Sequence, residues 1–327
     1  MNLKKQMENK NIIFMGTPDI AAEALEALVN SGFKPSLVIT QKDKPVGRKQ
    51  IITPSPVKLI ALKNNIEVWQ PNTLKDKEAY EKIRSASPDI MIVVAYGKII
   101  PKNIIDIPKF GILNIHASLL PKFRGASPAQ YAILVGEKET GVSIMQIDEQ
   151  LDHGPVVAQR SVKIAEDDTT ESLLKKLSLA GASLLVETLP LYFKNSIKPQ
   201  EQDHTQATFT KIIKKEDGEI KESATAQEIE RMARAFHSWP GVYFMFSEKN
   251  GKKLKVKFKK VSLCECDPER KEKIYLNKKR KLVFQTRNGC LSLLEVQPES
   301  KNKMSGEAFY QGYKDKLAPL EAKKYKV

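Results

Sequence analysis

The run Asp89-Ile-Met-Ile-Val-Val-Ala95 is apolar at every interior position, so a strand formed there would be apolar on both faces, because successive side chains of a strand point to opposite sides. Such a strand belongs in the middle of a covered sheet, and sheets of that kind are parallel ones crossed by helices. The neighbouring sequence agrees. Asn11 to Gly16 is a short apolar strand ending in Gly16-Thr17-Pro18, after which Ile20, Ala21, Ala24, Leu25 and Leu28 recur at helical spacing up to Gly32. Strands are expected at Ser36 to Thr40, Ile66 to Trp69 and Gly111 to His116, and helices at Pro56 to Asn64 and Leu74 to Ser85. The alternation predicts an α/β fold with a Rossmann-like, mostly parallel sheet. Gly16 stands alone where a dinucleotide fingerprint needs three glycines, and no Walker pattern exists, which argues against an NAD or ATP enzyme.

Such sheets bind ligands at the carboxyl ends of their strands. Asn114 and His116 lie at one such end, two residues apart, so they share a face while Ile115 points to the other. An amide donor beside an imidazole is one half of an acid–base site; an isolated Asn-x-His is better explained by polar groups facing water, so the rest of the chain must decide. A further strand, Thr140 to Asp148, empties into Glu149-Gln-Leu-Asp152-His153-Gly154-Pro155, and a carboxylate there could approach His116. The other histidines read as bland: His153 as solvent-facing, His204 as part of a linker, His237 as capping or packing. Between Thr40 and Pro54 runs a basic loop with Arg48 and Lys49 at its tip, which either contacts phosphates or is simply solvated.

The chain is too long, at 327 residues, for one ordinary core, and its charge divides unevenly. Residues 208–327 carry 28 Lys+Arg against 16 Asp+Glu, net +12, of the total +15. In Lys253-Leu-Lys-Val-Lys-Phe-Lys-Lys260 lysines alternate with apolar residues, giving one cationic and one apolar face. Short strands at Val242 to Phe246, Lys253 to Val261, Lys281 to Thr286 and Cys290 to Val296 predict a small, OB-like β-barrel suited to a polyanion. We therefore expect a catalytic domain over residues 1–193, a linker over 194–208 and a basic barrel over 209–327. Cys264, Cys266 and Cys290 lack the spacing of a zinc site or disulfide framework, so reduced thiols and no metal are expected. The polar residues 1–11 and the absence of a membrane-length apolar run point to a cytoplasmic protein.

With these residues placed, the sequence resembles the methionyl-tRNA formyltransferases, within the wider group of enzymes that use 10-formyltetrahydrofolate. The likeness spans nearly the whole chain. It is carried by Phe14-Met-Gly-Thr-Pro-Asp19, Gln41 to Arg48 with Thr53-Pro-Ser-Pro-Val-Lys58, Val93-Val-Ala-Tyr-Gly97, Asn114-Ile-His116, Ser118-Leu-Leu-Pro121, Arg124-Gly-Ala-Ser-Pro128, and Thr140 to Met145 with Leu151-Asp152. The resemblance implies formyl transfer from 10-formyltetrahydrofolate to the α-amine of methionine on initiator tRNA. It implies catalysis by Asn114, His116 and Asp152, folate along Ser118, Leu119, Leu120 and Pro121, and tRNA contact by Arg48. No membrane association and no obligate protein partner are expected. The rival readings are a formyltransferase for a small amine, such as glycinamide ribonucleotide or an amino sugar, and a non-catalytic RNA-binding protein. The basic second domain argues against the first, and the Asn114, His116 and Asp152 set against the second.

Overall fold

The computed structural model describes residues 10–47 and 49–319. They divide into two compact units, one holding the chain up to Pro128 with Lys138–Ile164 and Leu173–Lys211, the other holding Ala129–Glu137, Ala165–Ser172 and the chain from Ile212 onward.

The strands of the first unit are β1 (Ile12–Gly16), β2 (Leu37–Ile39), β3 (Lys44–Val46), β4 (Ile51–Thr53), β5 (Glu67–Trp69), β6 (Ile90–Val94), β7 (Ile112–His116), β8 (Arg124–Gly125), β9 (Glu139–Gln146), β10 (Val156–Lys163) and β11 (Phe209–Thr210). Seven of them form one sheet in the order β10-β9-β7-β6-β1-β2-β5. All pairs from β5 across to β7 are parallel, and β9 and β10 add an antiparallel edge. Every residue of β1 and β6 is buried, as their continuous apolar runs require. The strand order reverses at β1, whose neighbours β2 and β6 are reached in opposite directions, and this opens the usual ligand crevice at the carboxyl ends.

Gly16 serves close packing. A Cβ there would stand 2.6 Å from Ala21 Cβ and 2.9 Å from the Val94 carbonyl, so the first turn of the helix Asp19–Asn30 can press against β1 only because none exists. The helix Pro56–Lys63 starts where the sequence suggests: Ser55 Oγ accepts from the Lys58 amide, and Pro56 follows at a position that needs no amide donor.

The basic loop before it is a short hairpin of β3 on β4, which the sequence did not show. Its strands have three residues each and are exposed throughout, so no alternation of burial marks them. At its base the Lys58 ammonium, 2.7 Å from Asp43, holds that carboxyl below the usual carboxylate range, with Gln70 assisting. Tyr96, just past β6, is buried in the apolar cluster around Met15, Ile39 and Ile104. Its hydroxyl finds no hydrogen-bond partner among the described residues, and burial pushes its pKa up to about 12.

The second unit is built on an antiparallel sheet of β12 (Val242–Ser247), β13 (Lys253–Cys264), β16 (Cys290–Pro298), β15 (Leu282–Gln285) and β14 (Ile274–Leu276), with β17 (Met304–Ser305) on β16. Two register shifts between Phe258 and Val261 bend the long strand β13, which lets the sheet curl in the manner of a small barrel. It encloses an aromatic core in which Phe244, Phe258 and Phe284 meet edge to face at 5.1 Å. The helix Ala226–Ala235 opens with the Thr225/Glu228 capping box that the sequence announces.

The expectation of three reduced thiols is corrected: Cys266 and Cys290 form a disulfide with their Cα atoms 5.3 Å apart, and only Cys264 is free. Spacing along the chain carried no hint of it. Strand register decides it, because β13 and β16 pair Cys264 with Cys290 and bring Cys266 within reach.

Candidate active site

The site lies at the carboxyl end of β7. Asn114, half-buried, sits between Val93 of β6 and Met145 of β9, and His116 pairs with Ser143. Ile115 turns to the other face, where it meets the helix Thr170–Phe193 at Gly181; a Cβ on that glycine would come within 2.9 Å of Ile115 Cγ2. The shared face of Asn114 and His116 follows directly from the period of the strand.

His116 is buried, and its ring nitrogens face two different acceptors. Nε2 lies 3.0 Å from the Phe123 carbonyl, which can only accept, so Nε2 carries a proton. Nδ1 faces Asp152 Oδ2 at 3.6 Å. That oxygen also accepts the Gly125 amide at 2.7 Å. The carboxylate is thus fixed by the β8 main chain and faces the imidazole from just beyond hydrogen-bond distance. Two glycine-like turns make this possible. Phe123 and Asp152 both adopt positive φ, +58° and +49°, and Gly125 lies at +110°. A Cβ on Gly125 would run into the Thr210 carbonyl, because β11 lies directly on β8.

The structure brings Asn114, His116 and Asp152 together at one strand end. Ser118, Leu119, Leu120 and Pro121 follow immediately, with a cis bond before Pro121. Their polar groups are largely committed. The Ser118 hydroxyl is fully buried and donates to the Lys122 carbonyl at 2.6 Å. The Leu120 amide donates to Ser143 Oγ, and its carbonyl accepts from Gln159 Nε2 at 2.9 Å. At the end of β6, Ala95 and Gly97 are exposed at φ +45° and +80°, while the Tyr96 carbonyl between them accepts from Gln41 Nε2. Arg48 lies outside the described residues.

Several residues of this region escaped the sequence reading. Phe123 and Gly125 act through main-chain groups, and of the two only the glycine's type bears on its place, through the room it leaves beside Thr210. Arg124, buried, donates through Nε and Nη2 to Gln202 Oε1 at 3.1 and 2.7 Å, and through Nη2 to His204 Nδ1 at 2.8 Å. His204 stacks on His153 with ring centroids 4.0 Å apart, and His153 Nδ1 lies 2.6 Å from Asp148 Oδ2. Neither histidine is the bystander its local sequence suggests, since partners 51 and 80 residues away cannot be read locally. Residues 194–208, which lack periodicity, are tied down in the first unit by Gln202, by the Val156–Gln200 bridge and by Thr208 Oγ1 accepting the Phe123 amide.

The mostly parallel sheet, in which β7 beside the central strand β6 ends in an imidazole set against a carboxylate, stands in a chain with a separate antiparallel C-terminal unit, and the chain belongs to the formyl transferase family. Residues 10–189 match the family described as formyl transferase, and residues 212–314 match its C-terminal domain. The methionyl-tRNA formyltransferase of Caldicellulosiruptor saccharolyticus is 42% identical over 315 residues, covering 95% of this chain and 99% of that protein. That of Sulfurihydrogenibium sp. is 44% identical over 306 residues, covering 93% and 97%. Among solved structures, the N-formyltransferase from Helicobacter canadensis, in complex with folinic acid and dTDP-3-aminofucose, has the same fold with a TM-score of 0.63 at 20% identity, covering 87% of this chain and 98% of that one. Among the described residues, no helix is long and apolar enough to cross a membrane.

Proposed function

We propose that this chain transfers the formyl group of 10-formyltetrahydrofolate to the free α-amine of methionine carried on initiator tRNA, in support of translation initiation. The observation that carries the chemistry is the meeting of His116 Nδ1 and Asp152 Oδ2 at the strand end that bears Asn114. The folate, when bound, supplies a formyl carbon on one of its nitrogens. The attacking amine must lose a proton and the departing nitrogen must gain one, and His116 is the group that can move it through Nδ1. An imidazolium donates from both nitrogens, and here both face acceptors, the Phe123 carbonyl and Asp152. Asn114, on the same face, offers its amide to the carbonyl oxygen that gains negative charge, an interaction worth roughly 3–4 kcal/mol in comparable sites.

For the folate, the fit is one of walls and main chain rather than of free side chains. Leu119 and Pro121, half-buried, supply apolar surface, Leu120 between them is itself buried and contributes main chain, Ser118 braces their turn, and the exposed backbone at Ala95 and Gly97 supplies polar groups. Binding of the tRNA is assigned to Arg48 and to the basic second unit, from Ile212 onward. On β13, Val256 and Phe258 are buried while Lys255, Lys257 and Lys259, which alternate with them, are half-buried; Lys255 rests its ammonium 3.5 Å over the Tyr243 ring. Desolvation, with Lys215 and Lys257 nearby, lowers the Lys255 pKa.

The test is formyl transfer from 10-formyltetrahydrofolate, with methionyl initiator tRNA as acceptor and methionyl elongator tRNA, glycinamide ribonucleotide and a dTDP-amino sugar as controls. Product with initiator tRNA alone is expected. Product with only a small amine would overturn the choice of substrate.

A further inference from the structure

Asp152 holds its carboxylate on His116 from an unusual main-chain conformation, φ +49°, which costs an ordinary residue roughly 1–2 kcal/mol. Something must hold the peptide plane that follows. The Gln202 amide does so: its Nε2 donates to the Asp152 carbonyl at 3.0 Å and to the Gly154 carbonyl at 2.7 Å. Its other end is fixed as firmly, because Oε1 accepts twice from the buried Arg124 guanidinium. Both Gln202 and Arg124 are more than nine-tenths buried, at 7% and 3% exposure. One side chain must therefore accept on one side and donate twice on the other, which among side chains of this length only glutamine does. Arg124 is next to Gly125, whose amide grips the same carboxylate, so the two clamps on Asp152 share one strand.

We propose that Gln202, in the irregular segment after the last helix of the first unit, is a positioning residue for formyl transfer: it sets the direction of the Asp152 carboxylate through the main chain and never touches substrate. This rests on reading Asp152 as the partner of His116. It makes the segment 194–208 part of the active site's frame rather than a tether only.

Two variants of similar volume test it beside Asp152→Asn. Gln202→Glu still accepts from Arg124 but turns a carboxylate oxygen on two carbonyls; Gln202→Met removes all four hydrogen bonds without adding charge. In both, kcat for methionyl initiator tRNA is expected to fall about 10- to 100-fold, the loss that a displacement of roughly 1 Å produces, with KM for both substrates within about threefold. The acidic limb of kcat against pH should move as well, since the acid–base pair has been pulled apart. A variant that melts lower yet keeps its kcat and its acidic limb would reduce Gln202 to a staple and overturn the proposal. If Asp152→Asn itself keeps near-normal turnover, the assignment of Asp152 fails instead, and the two failures are told apart.

Discussion

Around β7 the His116 imidazole and the Asp152 carboxylate are set by partners on more than one side, whereas along β13 Lys257 and Lys259 continue a cationic row in which Lys253 and Lys255 rest on Ser247 and the Tyr243 ring. His116 has a carbonyl on one nitrogen and a carboxylate on the other, and that carboxylate is gripped by Gly125 and set by Gln202. Lys257 and Lys259 alternate with buried Val256 and Phe258 and need only face outward. The contrast matches two kinds of chemistry. Proton movement at a reacting centre tolerates errors of a fraction of an ångström, while neutralising a phosphate backbone requires density of charge.

The largest effect should come from removing the fixed carboxylate. Asp152→Asn is expected to lower turnover about 10²- to 10⁴-fold with an unchanged melting temperature, measured by single-turnover formyl transfer. Asp152→Glu should fail nearly as badly, because its charge is kept and its position is not; normal turnover there would break the contrast. Next comes Gly125→Ala, which puts a Cβ against the Thr210 carbonyl at a φ of +110°. It should cost about 1–3 kcal/mol in denaturant titrations and about tenfold or more in kcat, as the amide leaves Asp152.

On the other side of the comparison, Lys257→Gln and Lys259→Gln should leave kcat at saturating tRNA unchanged. Each should flatten the slope of log affinity against log salt by about 1, and the Arg variants should restore it. A large kcat loss from either Gln variant would give the lysines a geometric role and blur the distinction.

The smallest effect concerns stability alone. Tyr96 keeps a neutral hydroxyl in the fold, with its pKa raised to about 12 by burial, while in the unfolded chain it ionises near its ordinary value of about 10. Above that lower value the unfolded chain binds fewer protons than the folded one, so stability falls as pH rises from about 10 toward 12. Tyr96→Phe should remove this loss and, by deleting a hydroxyl that has no partner among the described residues, raise stability at neutral pH by about 1 kcal/mol. Thermal melts across pH would show it; a drop in the melting temperature at pH 7 would mean that the hydroxyl has a partner.

The sequence by itself determined the layer architecture, the pairing of Asn114 with His116 on one face, and the partition of charge between the halves. These are properties of short-range period and composition: alternation of two along a strand, three to four along a helix, and a tally of lysines. The resemblance added Asp152 as the third member, and the structure brings it to His116. What the tertiary structure alone decided lies at long separation. The disulfide between Cys266 and Cys290, the stacked His153 and His204, and the grip of Gln202 on Asp152 all depend on which distant segments become neighbours. Residue type and local spacing carry no record of register between strands, nor of a carbonyl's need for a donor 50 positions away. The strand that bears His116 could be read from its own residues; the direction of the carboxylate that serves it could not.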